Sequence, residues 1–137
     1  MTQIKEVMTG DLQTCEPSTT VLEAARMMAR SDAGPIPVVE DGRPIGLVTD
    51  RDIVVRVVAE GRDPQMTTAG EIASKELVTV EPEQSLEEAL ELMARCQIRR
   101  LPVVEGDRLV GIVAQADVAR SADSRATGDV VQDISQG

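Results

Sequence analysis

Two segments of the chain carry apolar residues with the period of an α-helix. The apolar positions recur at i, i+3, i+4 and i+7, which places them on one helix face. They are Val21, Ala24, Ala25 and Met28 in the first segment, and Leu86, Ala89, Leu90 and Met93 in the second. Each segment opens with the capping-box pattern of a helix start, formed by Thr20 with Glu23 and by Ser85 with Glu88. The sequence therefore predicts two amphipathic helices whose methionines pack in the core.

Short runs on either side of these helices predict strands. Before each helix an extended stretch leads into Glu-Pro, where the proline disfavours helix in the preceding residue. After each helix, two apolar runs are joined by turn residues. The predicted strands cover residues 13–15, 36–40 and 44–49, and then 78–80, 101–105 and 108–114. In the last strand of each set a glycine, Gly46 or Gly111, indicates a close approach of another backbone segment.

A further helix is predicted after each strand pair. The first begins at Asp50, continues through the valine-rich run 53–59 and ends at Gly61, and the second begins at Gln115. The valine-rich run carries more apolar surface than a solvated helix needs, so it is either an interface or a helix buried within the monomer.

The elements recur because the sequence is duplicated. A shift of 65 residues aligns residues 6–53 with 71–118 without a gap, and 18 of the 48 paired residues are identical. The predicted fold class is α/β (α+β), with two tandem β-α-β-β-α repeats that bury each other's apolar faces by packing sheet to sheet. The repeats are assigned to residues 4–62 and 63–120, followed by a polar tail at 121–137. A third capping box, Thr68 with Glu71, precedes the second copy.

The composition excludes several classes of function. The 137 residues carry a net charge of −10, which disfavours nucleic acid and anionic membrane surfaces as partners. The chain has no His, Phe, Tyr or Trp, which excludes histidine-based catalysis, histidine metal sites and aromatic base stacking. No base–nucleophile pair or metal-ligand cluster remains, so we expect no catalytic residues, no metal and no catalytic cofactor.

The cysteines and the apolar runs bear on the cellular compartment. Cys15 and Cys96 do not form a CxxC pair, and we expect both to be free thiols that pack as small buried apolar side chains. No apolar run is long enough to span a bilayer, and the start of the chain does not resemble a signal peptide. The expected location is the cytoplasm.

The candidate chemistry lies where the last strand of the first copy meets its second helix. Thr49 is expected at the N-cap of that helix and Asp52 three residues later, beside free amides and the positive end of the helix dipole. A carboxylate there can accept from two ribose hydroxyls while the threonine and the amides favour a phosphate. An ordinary capping box without any ligand fits the spacing equally well.

The second copy differs at the same positions. It keeps the carboxylate at Asp117 but has Ala114 in place of the threonine, so we expect the weaker site there. Arg99 and Arg100 precede its first long strand and could neutralise a polyphosphate, or could be a solvated or ion-paired arginine pair. Arg51 is a third cationic candidate.

These residues resemble a known family. The duplication, the Pro-Val-Val strand and the Gly-x-hydrophobic-Thr-x-x-Asp motif are similar to a tandem pair of cystathionine β-synthase (CBS) domains, a Bateman module. The resemblance covers about residues 4–120, and the run from Val48 to Ile53 is further similar to small stand-alone bacterial CBS proteins of the hypoxic response type.

The resemblance implies pseudo-two-fold packing with two ligand clefts, each drawing on both repeats. The main cleft would consist of Thr49, Arg51, Asp52, Thr79, Val80, Ile98, Arg99, Arg100 and Leu101. The second, weaker cleft would consist of Thr14, Cys15, Ala33, Ile36 and Asp117. Gly34 and Pro35 stand there in place of the two arginines, which further disfavours a phosphorylated ligand.

The resemblance also implies a function. A CBS pair of this kind would bind an adenosine-containing ligand, AMP, ADP, ATP or S-adenosylmethionine, would form a homodimer through its helices, and would signal to a separate, unidentified effector protein. The alternative is a scaffold or protein-interaction module that keeps the fold and binds no ligand.

Overall fold

The computed structural model describes residues 2–10, 12–31 and 35–121, and the elements follow the predicted order. After a short 3-10 helix at Ile4–Glu6, the first copy contains α1 (Val21–Ser31), β1 (Ile36–Glu40), β2 (Arg43–Val48) and α2 (Asp50–Ile53), which continues as a π-helix over Val54–Val58. The second copy contains α3 (Ala69–Ile72), α4 (Leu86–Cys96), β3 (Arg100–Glu105) and β4 (Arg108–Ala114), and residues 115–121 are again helical. Ala33, Gly34 and residues 122–137 of the predicted tail lie outside the described residues.

Each copy forms one two-stranded sheet, β1 with β2 and β3 with β4. The first pair is antiparallel, with Ile36 opposite Val48. The predicted strands at residues 13–15 and 78–80 are wrong in extent, since each is a single parallel bridge, Cys15 with Val38 and Val80 with Val103. The proline two residues further along has no backbone N–H to donate, so the ladder cannot continue.

The two predicted amphipathic helices are confirmed. Their buried residues are Val21 and Ala24 in α1, and Leu86, Ala89 and Met93 in α4. At α4 the capping box is complete, since Ser85 Oγ accepts from the Glu88 N–H and Glu88 Oε1 accepts from the Ser85 N–H, both at 3.2 Å. At α1 the Glu23 N–H donates to Thr20 Oγ1 at 3.2 Å, but the Glu23 carboxylate pairs with Arg30 instead.

The two cysteines differ in their surroundings. Cys15 belongs to the core around β1, and its burial, with a smaller contribution from the charge of Glu16, raises the thiol pKa to about 11. Cys96 is exposed, so the prediction that it packs in the core is wrong. It is the last residue of α4, and Gln97 then turns the chain away in the left-handed region.

The described chain divides into two compact units that do not follow the order of the copies. One unit comprises residues 2–10, 79–104 and 110–121, and the other comprises residues 12–31, 35–78 and 105–109. Residues 3–9 and 68–74 are equivalent under the 65-residue shift. We call them the lead segments. Each lead segment therefore lies in one unit with the body of the other copy.

The lead segments make the same contacts in both units. Thr9 pairs with Ile112 of β4 through hydrogen bonds of 2.8 and 3.0 Å, and Ser74 pairs with Leu47 of β2 through bonds of 2.9 and 3.0 Å. Both segments begin with a capping box, which is formed by Gln3 with Glu6 in the first segment and by Thr68 with Glu71 in the second. The hydrogen bond from the Thr68 N–H holds the pKa of Glu71 below its usual range.

Close packing of the lead segments explains the two glycines noted in the sequence. A Cβ on Gly46 would lie 2.9 Å from Ala73 Cβ and 3.0 Å from the Ser74 carbonyl oxygen. A Cβ on Gly111 would lie 3.0 Å from the Thr9 carbonyl oxygen. The backbone can approach this closely only because both residues lack a side chain.

The valine-rich run presents an apolar surface. Val57 is fully buried, but Val54, Val55 and Val58 are 57%, 45% and 67% exposed. The alternative of a helix buried within the monomer is therefore wrong for three of its valines. We call these three residues the valine face.

Candidate functional site

Thr49 and Asp52 form the predicted capping box at the start of α2. Thr49 is extended, and its Oγ1 accepts from the Asp52 N–H at 3.1 Å. Asp52 Oδ2 accepts from the Thr49 N–H at 2.8 Å. The ordinary capping box is thus present, and contact of this pair with a ribose stays a prediction. Arg51, between them, is exposed.

The second carboxylate oxygen of Asp52 faces Arg56, a site residue that the sequence did not predict. Asp52 Oδ1 lies 4.0 Å from Arg56 Nε, and the aspartate side chain is only 15% exposed. Arg56 Nη1 also donates to the Ile72 carbonyl oxygen at 2.9 Å. The only sequence signal for Arg56 is its position four residues after Asp52, one helical turn further on.

In the other unit, Arg99 and Arg100 line a pocket of about 470 Å³. The remaining lining residues are Ala114, Gln115, Ala116 and Ala119. The Gln115 N–H donates to the Arg99 carbonyl oxygen at 2.7 Å, which joins the start of β3 to the end of β4. We call this site the arginine pocket. Both arginine side chains are exposed, so a ligand could reach them.

The arginine pocket opens where the second copy has small side chains. Its three alanines correspond, under the 65-residue shift, to Thr49, Arg51 and Val54 of the first copy. The structure thus brings the two arginines beside the helix start of their own copy, where the sequence predicts the weaker site. Their predicted contribution to the site of Thr49 and Asp52 stays a prediction.

The carboxylate of the second helix start is paired within its own helix. Asp117 forms an ion pair with Arg120, three residues further on, and its side chain is 26% exposed. The predicted difference in affinity between the two helix starts stays a prediction.

The other predicted site residues fall into two groups. Cys15, Ile36, Val80 and Leu101 are buried in the cores of their units. Thr14 and Thr79 are exposed, and Ile98 is half-buried. The buried residues offer a ligand little accessible surface, and the predicted place of both groups in the ligand clefts stays a prediction.

A second, smaller pocket of about 280 Å³ lies in the unit of the first copy. It is lined by Glu16, Pro17, Ser18, Val39, Glu40 and Asp41. Across residues 2–10, 12–31 and 35–121, no three His, Cys, Asp or Glu residues are grouped so that they could hold a metal ion. In the same part of the chain, no helix is both long and apolar enough to cross a membrane.

Comparison with known proteins agrees with the repeated fold. The CBS domain-containing protein YhcV of Bacillus subtilis is 46% identical over 136 residues, which cover 98% of this chain and 96% of that protein. The crystal structure of Hypoxic Response Protein I with two coordinated zinc ions is 39% identical, with a TM-score of 0.79, over 88% of this chain and 99% of that one. The CBS pair of protein MJ0100, solved with 5-methylthioadenosine and S-adenosyl-L-methionine, shares the fold at 24% identity and a TM-score of 0.82, over 91% and 98% of the two chains.

The family assignment rests on both copies. The profile of the CBS domain matches residues 4–59 and again residues 69–124. The two matches begin at the lead segments and include the Thr49–Asp52 and Ala114–Asp117 helix starts. This chain belongs to the CBS domain family and contains a pair of CBS domains with an α+β fold.

Proposed function

We propose that this protein is a regulatory CBS pair that binds an adenosine-containing ligand without catalysing a reaction and signals to a separate effector protein. The observation that carries the proposal is the arginine pocket. Two adjacent guanidinium groups beside an open pocket are unusual in a chain with a net charge of −10, and they suit a phosphate-bearing ligand.

The charge pattern elsewhere supports this assignment. Four other arginines are paired with carboxylates, namely Arg30, Arg56, Arg62 and Arg120. Arg99 and Arg100 instead face the pocket, where a phosphate would supply the opposite charge. AMP, ADP and ATP carry that charge, whereas the sulfonium of S-adenosylmethionine does not, so we rank the nucleotides first.

Thr49 and Asp52 are the proposed contacts for ribose and phosphate in the other unit. The half-buried Asp52 carboxylate has Oδ1 outside the capping box, and a sugar hydroxyl can donate to it. The chain has no aromatic residue, so we propose that adenine is held by aliphatic side chains and backbone groups.

A titration of the purified protein with AMP, ADP, ATP, NAD and S-adenosylmethionine tests the proposal. A ligand that binds only the folded state raises the melting temperature, and calorimetry then gives the affinity and the number of sites. We expect Arg100→Ala to weaken nucleotide binding by about tenfold, and by less at high salt. Arg95→Ala, which removes an exposed arginine of α4 from the same unit, is the control and should bind like the wild type.

Other outcomes point elsewhere. If none of the five compounds shifts the melting temperature, the ligand-free scaffold is the better account. Two equal sites per chain would contradict the proposed difference between the two helix starts.

We also propose that the protein is a cytoplasmic homodimer and that the valine face lies in the interface. Three exposed valines within five residues are costly in water, and a second copy would bury them. The expected species has a mass near 29 kDa, twice the 14.7 kDa of one chain. Light scattering coupled to size exclusion should show this dimer for the wild type and a monomer for Val54→Glu/Val58→Glu.

Met66→Glu is the matched control for the dimer. Met66 is 78% exposed and lies outside the valine face, so a glutamate there should leave the dimer intact. A monomeric wild-type protein would overturn the homodimer, and a dimer that survives the double substitution would move the interface away from the valine face.

A further inference from the structure

Arg56 connects the candidate ligand contact Asp52 to the lead segment at residues 68–74. Its Nε lies 4.0 Å from Asp52 Oδ1, and its Nη1 donates to the Ile72 carbonyl oxygen at 2.9 Å. We infer that Arg56 is a positioning residue, which orients the Asp52 carboxylate and couples ligand binding there to the order of this lead segment. This inference rests on the proposed function.

The geometry of the carboxylate supports the first half of this inference. Asp52 Oδ2 is held by the Thr49 N–H at 2.8 Å, which fixes one oxygen on the helix start. The guanidinium attracts Oδ1 from 4.0 Å, too far for a direct hydrogen bond, so this oxygen is oriented but still able to accept from a ligand hydroxyl. Removing Arg56 takes away the positive charge that attracts Oδ1, so that only the capping box orients the carboxylate.

The geometry of the lead segment supports the second half. Ile72 ends α3, and the last carbonyl groups of a helix have no partner within it. Arg56 supplies the donor to this buried residue, which is only 1% exposed. Two residues later, Ser74 pairs with Leu47, and Leu47 lies two residues before Thr49. Helix start, arginine and lead segment therefore form a closed series of contacts within one unit.

The second copy does not repeat this arrangement. Ser121 occupies the position equivalent to Arg56, and Asp117 pairs with Arg120 instead. A serine hydroxyl carries no charge and is too short to join a carboxylate to a carbonyl on another segment. The coupling is thus a property of the helix start that retains the threonine, which is also the one proposed to contact ribose.

Two variants of the full-length protein test the inference, with AMP as the probe. Arg56→Met keeps the length of the aliphatic stem but removes both polar contacts, and we expect it to weaken AMP binding by about tenfold. Arg56→Lys restores the charge near Asp52 without the hydrogen bond to the Ile72 carbonyl oxygen, and it should recover part of the lost AMP affinity.

The matched control is Arg62→Met. Arg62 also anchors the lead segment, through a 2.8 Å contact with Glu71, but it does not contact Asp52. Both methionine variants should lower the melting temperature, whereas only Arg56→Met should weaken AMP binding. In an Asp52→Asn background the further substitution Arg56→Met should change the affinity by less than about twofold, because the group that it positions has lost its charge.

A second readout follows the lead segment itself. We expect AMP to slow hydrogen exchange of the Ser74 amide, which donates to the Leu47 carbonyl oxygen at 2.9 Å, in the wild type but not in Arg56→Met. Equal AMP affinities for the wild type and Arg56→Met, or equal losses in Arg56→Met and Arg62→Met, would overturn the positioning role and leave the proposed function intact. Failure of the wild type to bind AMP or any other compound of the titration would overturn the proposed function itself.

Discussion

Replacing Asp52 by asparagine is expected to weaken AMP binding by about a hundredfold while the protein remains folded. An amide oxygen can still accept from the Thr49 N–H, so the capping box at the start of α2 survives. What is lost is the charge of the acceptor for the ribose hydroxyls, and two charge-assisted hydrogen bonds at about 1.5 kcal/mol each account for this factor. Calorimetry with AMP gives the affinity, and thermal unfolding checks the fold.

Asp50→Asn is the control for this substitution. Asp50 is exposed in the same turn of α2 and accepts only from the neighbouring Arg51 N–H, so its loss should leave AMP affinity unchanged. An Asp52→Asn protein that binds as tightly as the wild type would refute the assignment of Asp52. If Asp117→Asn abolishes binding instead, the working carboxylate belongs to the second copy.

A side chain at Gly46 is expected to cause the largest loss of stability. The Cβ of Gly46→Ala would lie 3.0 Å from the Ser74 carbonyl oxygen and 2.9 Å from Ala73 Cβ, and these groups belong to backbone or to a short side chain that cannot rotate away. Overpacking of this kind costs about 1–3 kcal/mol, and Gly46→Val should reach the upper end or prevent folding. Urea unfolding of the alanine variant measures the loss as a lower midpoint.

Gly10→Ala provides the comparison. A Cβ there would be 3.8 Å from the Val110 carbonyl oxygen, an ordinary contact, so the free energy of unfolding should stay within about 0.5 kcal/mol of the wild type. If Gly46→Ala is equally harmless, the lead segment is not held against β2 as closely as the structure has it.

The elements of each copy could be predicted from local patterns. The i, i+3, i+4, i+7 spacing and the Ser85–Glu88 box located α4 correctly, because a helix is specified by residues within a few turns of one another. The 65-residue shift identified the duplication and, with the Thr-x-x-Asp motif, the family. Gly46 was correctly interpreted as a site of close approach, although the sequence did not indicate which segment approaches it.

The remaining features depend on contacts between residues far apart in the chain. The role of Arg56 could not be predicted, because its bond to the Ile72 carbonyl oxygen spans 16 positions and involves a backbone atom. The arginine pocket depends on Ala116 and Ala119, and small side chains give no sequence signal of the space that they leave. Cys96 was expected in the core because cysteine is commonly buried, but the helix ends where that residue would have packed.

The placement of the lead segments has a consequence for how such a chain could arise. A protein with a single copy would contain one lead segment and one sheet edge that needs it, yet in this chain a copy's own lead segment does not cover its own edge. Two single-copy chains could complete both edges only by exchanging these segments, as in domain swapping. Gene fusion would then turn a concentration-dependent association into an intramolecular one. Cutting the polypeptide at the boundary between the sequence repeats would separate each sheet edge from the lead segment that covers it. The cut would therefore not release two autonomous domains.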